Sequence, residues 1–197
     1  MTKHPREERT YVMIKPDGVK RGLIGEIIKR IEQRGLKVVA LEMEHPTHKQ
    51  MDDHYPKDPK WITRLGEKTL STYAKFGYDA MKELGTDKAE KIGPMVREWL
   101  INYMSSAPLV KIVVEGIHAI DMVKKLAGKT MPIDAEMGTI RGDFSADSAA
   151  AANRDRRAVH NLVHISETPE EAEHEIAHWF TQDQIHDYKR VEEDLMI

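Results

Sequence analysis

Three groups of residues in this chain have types and spacing that could do chemistry. His174-Glu175-Ile176-Ala177-His178 is the pattern H-E-x-x-H. On a helix its two imidazoles fall on one face, where they could hold zinc, and the carboxylate between them could serve as general base toward a zinc-bound water. A zinc hydrolase would need a third ligand, and His186, Glu192 and Glu193 follow downstream. Five of the ten histidines lie between residues 160 and 186, however, so pairs four apart arise by chance, and His160 and His164 make another. The second group is spread over two segments. Lys15-Pro16-Asp17-Gly18-Val19-Lys20-Arg21-Gly22 puts a lysine beside turn residues, a plausible phosphate contact without Walker spacing, and Gly138-Thr139-Ile140-Arg141-Gly142-Asp143-Phe144 adds an arginine between glycines. The third group is Asn161-Leu162-Val163-His164-Ile165-Ser166-Glu167. An imidazole, with an ordinary pKa of about 6.5, is mostly neutral near pH 7 and can act as a nucleophile.

Positioning these groups falls to alternating strands and helices. Residues 10–14 read as a strand, and the apolar residues at 23, 24, 27, 28 and 31 have helical spacing, closed by Gly35. A second strand covers 36–43, and a short helix covers 48–55. Residues 56–100 are Lys-rich with scattered aromatics, and predict two or three amphipathic helices, around 68–84 and 87–103. A strand at 109–114 and a helix at 117–126 follow. Residues 128–144 read as loop, and 146–158 show no apolar face. Residues 160–165 read as a strand that His164 all but ends. Thr168-Pro169-Glu170-Glu171 is a helix start, with a Thr cap, Pro at the first position and Glu three after the cap, and that helix runs to about 180. The tail from 181 is polar, helix or coil. With the extra helices set aside the order is βαββαβ. The expected fold class is α+β: a ferredoxin-like antiparallel sheet with helices on its faces, plus an inserted helical subdomain.

Composition bounds the function. The 197 residues suit one domain with a sizeable insertion. Thirty Lys and Arg against 33 Asp and Glu leave a net charge of −3, which argues against a nucleic-acid binder working by bulk charge while allowing a local basic pocket. There is no cysteine, so disulfides, thiolate metal sites and a Cys nucleophile are excluded. Residues 1–10 are charged and do not read as a secretory signal, and no apolar run reaches the roughly 18–20 residues that cross a bilayer. A cytoplasmic location without membrane association is expected.

Taken together and in order, the motifs resemble the nucleoside diphosphate kinase family. Residues 11–30 (YVMIKPDGVKRGLIGEIIKR) look like its N-terminal motif, His54-Tyr55 like its His-Tyr pair, and 107–116 like its core strand. Gly128-Lys129-Thr130 and GTIRGDF resemble its nucleotide loop and the segment after it. Residues 161–166 resemble its active-site motif N-x-x-H-x-S, and 173–180 its following helix. The resemblance covers about two-thirds of the chain. It implies that His164 takes the γ-phosphoryl group of a nucleoside triphosphate and passes it to a diphosphate, in ping-pong fashion. It further implies that Lys15, Lys124 and Arg141 neutralise the phosphates, that Tyr55 approaches the reacting one, and that Thr130 and Asn161 hold phosphate and sugar. Glu175 would hydrogen-bond the ring nitrogen of His164 that does not attack. That role suits its place eleven residues on, roughly two turns into the next helix at about 1.5 Å per residue. Mg²⁺ would arrive with the nucleotide rather than in a protein cage. Family members assemble as hexamers or tetramers, so a homo-oligomer is implied.

The chain departs from the family at three places. The stretch of about 56–100 is longer, and Trp61 is the nearest candidate for the base-stacking ring. Lys124 stands where the family has an arginine, which keeps the charge and loses the bidentate fork. A second insertion, about 145–157, carries Arg154, Arg156 and Arg157. Two other readings stay open at this level: a catalytically idle nucleotide-binding module, and the zinc hydrolase.

Overall fold

The computed structural model describes residues 4–191 and residue 193. Candidate ligand Glu192 and the rest of the tail lie outside the described residues. In chain order the elements are β1 (Glu8–Ile14), α1 (Pro16–Lys20), α2 (Ile24–Gln33), β2 (Lys37–Glu44), α3 (His48–His54), α4 (Pro59–Phe76), α5 (Ala80–Leu84), α6 (Ala89–Met104), β3 (Leu109–Gly116), α7 (Ala119–Ala127), α8 (Ile140–Phe144), α9 (Ala149–Arg154), β4 (Val163–Ile165) and α10 (Pro169–Trp179). They divide into two compact units.

The first unit is formed by the described residues of Met1–His45, Pro108–Ser145 and Asn161–Ile197. Its strands, among the described residues, make one antiparallel sheet in the order β2-β3-β1-β4. This is the ferredoxin-like order that the βαββαβ reading predicts. β1 is central, so it is buried from Thr10 onward and reads as a continuous apolar run. On one face Val12, Ile14, Val110, Ile112, Val114, Val163 and Ile165 pack against Ile27 and Ile31 of α2 and Ala119, Val123 and Ala127 of α7. The 3.6-residue spacing of α2 supplies that face, and Gly35, at φ 84°, turns the chain out of the helix into β2.

The structure differs from expectation in local detail. The Lys15–Gly18 turn is the N-terminus of the short helix α1, with Lys15 at the N-cap and Pro16 at the first position. The 128–144 loop contains α8, capped by Thr139, whose hydroxyl accepts from the Gly142 amide. β4 starts only at Val163, because Leu162 adopts φ 70° and cannot pair as strand. The tail runs beside β2: the His186 amide donates to the Val39 carbonyl, the Tyr188 hydroxyl to Val38, and the Arg190 guanidinium to Leu36.

The second unit combines Pro46–Ala107 with Ala146–His160. The two stretches read as insertions fall in it, apart from Ser145. The helix expected at 68–84 is two helices. Asp58 caps α4 by accepting from the Trp61 amide, Gly77 at φ 67° ends it, and Asp79 caps α5. α4 and α6 touch backbone to backbone: a Cβ on Gly66 would stand 2.1 Å from the Ala89 carbonyl oxygen, and one on Gly93 2.1 Å from that of Ile62. α9 forms where no apolar face was evident, capped by Ser148. The three insertion arginines have partners inside this unit. Arg154 lies over the Tyr78 ring, Arg156 donates to the Glu83 carbonyl, and Arg157 pairs with Asp147 at 2.6 Å.

Candidate active site

His164 stands on β4 opposite Met13 of β1. Two residues before it the backbone turns at Leu162, whose left-handed conformation costs a bulky residue about 1–2 kcal/mol. Two contacts from the N-terminal motif hold that turn. The Lys15 amide donates to the Leu162 carbonyl at 2.8 Å, and the Leu162 amide donates to Asp17 Oδ2 at 3.1 Å. Asp17 Oδ1 takes the Gly18 amide at 2.9 Å. Residues 145 apart in sequence thus form one corner of the site.

The imidazole is oriented from α10. Nε2 of His164 lies 2.5 Å from Glu175 Oε1, and the other carboxylate oxygen accepts from Ser166 Oγ at 2.6 Å. Glu175 and Ser166 are buried, while the His164 side chain is 21% exposed, enough to meet a ligand. Thr168, accepting from the Glu171 amide, sets the helix register that turns Glu175 inward. This corrects the zinc-hydrolase reading. Glu175 faces β4, whereas His174 and His178 are exposed, so the carboxylate is not placed to serve a metal-bound water.

Lys15 Nζ donates to Asn161 Oδ1 at 2.7 Å, and Asn161 Nδ2 donates to the Thr130 carbonyl at 2.9 Å. Burial, with the nearby Arg141 charge, brings the Lys15 pKa down from 10.5 to about 8, against a smaller opposing pull from Asp17. Arg141 does more scaffolding than expected. Its guanidinium donates to the carbonyls of Gly128 (2.6 Å), Val163 (2.9 Å) and Asn161 (3.2 Å), and burial brings its pKa to about 10. Asp143, two residues on, pairs with Arg30 at 2.7 Å. Arg30 also reaches the Gly138 carbonyl and lies over the Phe144 ring, so α2 fixes the segment that bears Arg141.

Lys124 is exposed at the end of α7, 3.5 Å from the Glu167 carbonyl. It lines a hollow of about 620 Å³ with His118, Lys125, Gly128, Lys129 and Thr139. Lys15, Asn161 and His164 are not among the residues around that hollow. Thr130 is exposed and joins the cluster through its carbonyl. Tyr55 and Trp61 belong to the second unit, their rings stacked at 6.3 Å. Arg97 of α6 holds the turn that presents Tyr55, through Asp52 and the carbonyls of Asp52, Tyr55 and Pro56. Sequence reasoning missed Ser166 and Asp17 as functional partners, although both lie in motifs it had singled out. It missed Arg30, at the end of the 11–30 motif, and Arg97, which nothing local marks.

Comparison with known proteins gives the same reading. The sequence matches the family described as "Nucleoside diphosphate kinase" over residues 8–61 and 88–185. A nucleoside diphosphate kinase of Pyrobaculum aerophilum is 43% identical over 178 residues, 90% of this chain and 97% of that one. The crystal structure of an NDP kinase from that organism superposes with a TM-score of 0.89 at 41% identity, covering 92% of this chain and 100% of the other. A transition-state mimic of the Borrelia burgdorferi enzyme, with bound vanadate and ADP, superposes with a TM-score of 0.77 at 33% identity and 96% coverage of both chains. With its sheet order and the histidine–glutamate pair at the end of β4 already in view, these matches settle the family: the chain is a member of the nucleoside diphosphate kinases, phosphotransferases that bind nucleotides.

Proposed function

We propose that the protein moves the γ-phosphoryl group of a nucleoside triphosphate onto His164 and from there to a nucleoside diphosphate. The observation that carries this reading is the His164–Glu175 pair. With Glu175 on Nε2, the attacking atom is Nδ1. Its lone pair forms the N–P bond as the bond from phosphorus to the β–γ bridging oxygen breaks, and the diphosphate leaves with that electron pair. A second diphosphate reverses the step. Glu175 fixes the tautomer and balances positive charge on the ring as the bond forms, the role that an orienting carboxylate plays for a catalytic histidine elsewhere.

Phosphoryl transfer asks chiefly for alignment and charge neutralisation. Lys15 supplies charge next to Asn161, Arg141 ties the 128, 161 and 163 carbonyls together while adding its own charge, and Lys124 and Thr130 extend the cationic and hydroxyl lining. Tyr55 and Trp61 are assigned from their motifs, as the hydroxyl approaching the reacting phosphate and the ring stacking on the base. The donor set suits Mg²⁺ only as a companion of the nucleotide. The carboxylate of Glu175 is committed to His164 and Ser166, that of Asp17 to two amides, and Lys15 and Arg141 suit phosphate oxygens. Carried on the phosphates, Mg²⁺ would offset their charge.

Homo-oligomers, hexamers or tetramers, are part of this proposal. Leu41 (49%) and Met43 (54%) are exposed on β2, an outer strand of the sheet, which suits a contact between copies. Among the described residues no helix is long and apolar enough to cross a membrane. We place the protein in the cytoplasm, with its nucleotides.

The test is intact-protein mass after incubation with ATP and Mg²⁺. One added phosphoryl group, absent in His164→Ala and discharged by GDP, is the expected result. A wild type that gains nothing is an idle binding module, and the proposal fails.

A further inference from the structure

Part of the H-E-x-x-H pattern is not used by phosphoryl transfer. Glu175 turns inward, but His174 and His178 stand exposed on the outer side of α10, one turn apart. Their rings are nearly parallel, 20° between planes, with centroids 6.4 Å apart. We propose that this pair is a surface site for a borderline divalent transition ion (Cu²⁺, Ni²⁺ or Zn²⁺), separate from the nucleotide and its Mg²⁺.

The donor chemistry selects the ion. Imidazole suits copper, nickel and zinc, whereas Mg²⁺ keeps oxygen ligands and water. The separation of the two rings can be set against what chelation needs. With metal–nitrogen bonds of about 2.1 Å, a tetrahedral ion would hold the two ring centroids about 5.2 Å apart. From 6.4 Å that is a closure of about 1 Å, within reach of small χ rotations of exposed side chains.

The helix is a prepared support. Ala172, Ile176 and Trp179 are buried along its inner side, and Thr168 and Pro169 fix its start, so this face points outward before any ion arrives. His178 also meets the Trp179 ring edge-on at 5.1 Å, which restrains its orientation. Glu170, exposed and four residues before His174, adds negative charge to the same side, and water completes the coordination. A bound ion would clamp the last turn of α10, whose carboxylate Glu175 holds the active-site histidine, without touching substrate.

The experiment is titration of the full-length, nucleotide-free protein with NiCl₂ and CuCl₂, followed by calorimetry and by Cu²⁺ electron paramagnetic resonance. Wild type, His174→Gln, His178→Gln and His164→Ala are compared. Either of the first two variants should weaken the ion by roughly tenfold or more and reduce the nitrogen coupling in the copper spectrum from two imidazoles to one, and His164→Ala should leave both unchanged. Millimolar Mg²⁺ should not displace the ion. A Ni²⁺-dependent rise in Tm should disappear with the same two variants, while their phosphoryl transfer with MgATP stays at the wild-type rate. Wild-type affinity in either glutamine variant, or loss of binding with His164→Ala, overturns the site.

Discussion

Glu175 divides one buried carboxylate between two partners, His164 Nε2 at 2.5 Å and Ser166 Oγ at 2.6 Å. The serine fixes the carboxylate, and the carboxylate fixes the imidazole. A chain of this kind transmits orientation without itself touching substrate.

Glu175→Gln should therefore slow formation of the phosphohistidine by about 10- to 100-fold, the scale on which the hydrogen-bond partner of a functional histidine tunes it. Nucleotide KM should barely change. Ser166→Ala, which leaves the carboxylate in place but less fixed, should cost less than about tenfold, because only one neutral donor is lost. Quenched-flow measurement of the phosphoenzyme checks both. A Glu175→Gln variant phosphorylated at the wild-type rate would exclude the tautomer role.

Asp17 joins the first motif to the last by capping the Leu162 amide. Asp17→Ala leaves that amide buried with its acceptor removed, at a cost of about 1–3 kcal/mol. It also releases a left-handed leucine from the contact that holds it. The urea midpoint should fall accordingly, and Asp17→Asn, which keeps an acceptor oxygen, should fall less. Equal stability of all three proteins would mean that the Lys15–Leu162 backbone bond alone holds the turn.

The parts of the fold visible in the sequence are those set by local pattern. The apolar stripe of α2 ending at Gly35, the Thr168-Pro169 start of α10 and the near-continuous apolar β1 and β3 all follow from periodicity and caps. The sheet order follows from βαββαβ. The parts that were not visible depend on distant partners. Leu162 carries no sign of its positive φ, which Lys15 and Asp17 enforce from far along the chain. The break at Gly77 was obscured because residues on either side of it share a helical pattern, and α9 is an alanine run whose cap, Ser148, was the only local signal. Within the site, the family resemblance pointed to Lys15, Arg141, Asn161, His164 and Glu175; hydrogen bonds link Lys15 and Arg141 to Asn161, and His164 to Glu175. That Arg141 is anchored on three carbonyls could not be read from its type.

The second unit makes a different prediction. Gly66 and Gly93 let α4 and α6 meet at a distance that no side chain tolerates, since either Cβ would collide with a carbonyl oxygen. Backbone cannot yield as a flexible side chain does. Gly93→Ala should destabilise the protein by at least the 1–3 kcal/mol or so typical of overpacking, despite the better helix propensity of alanine. An unchanged denaturation midpoint would show that the two helices separate easily.

Lys15 sets a pH dependence whose sign can be worked out. Its folded pKa, about 8, lies below the ordinary 10.5 because burial disfavours the charge. Between those values the unfolded chain binds more protons than the folded one, so the contribution of this group to stability rises with pH across that window and is least favourable below it. Nucleotide binding should run the other way. Triphosphate favours the ammonium form, so binding near pH 8 should draw a proton into the protein. Affinity should be flat below pH 8 and fall by up to about tenfold per unit above it. Calorimetry at pH 8 in two buffers of different ionisation enthalpy reads the proton uptake directly. Lys15→Arg, which keeps its charge across this range, should abolish the uptake and flatten the profile, at some loss of fit. Proton uptake that persists in Lys15→Arg would assign the titration to another group.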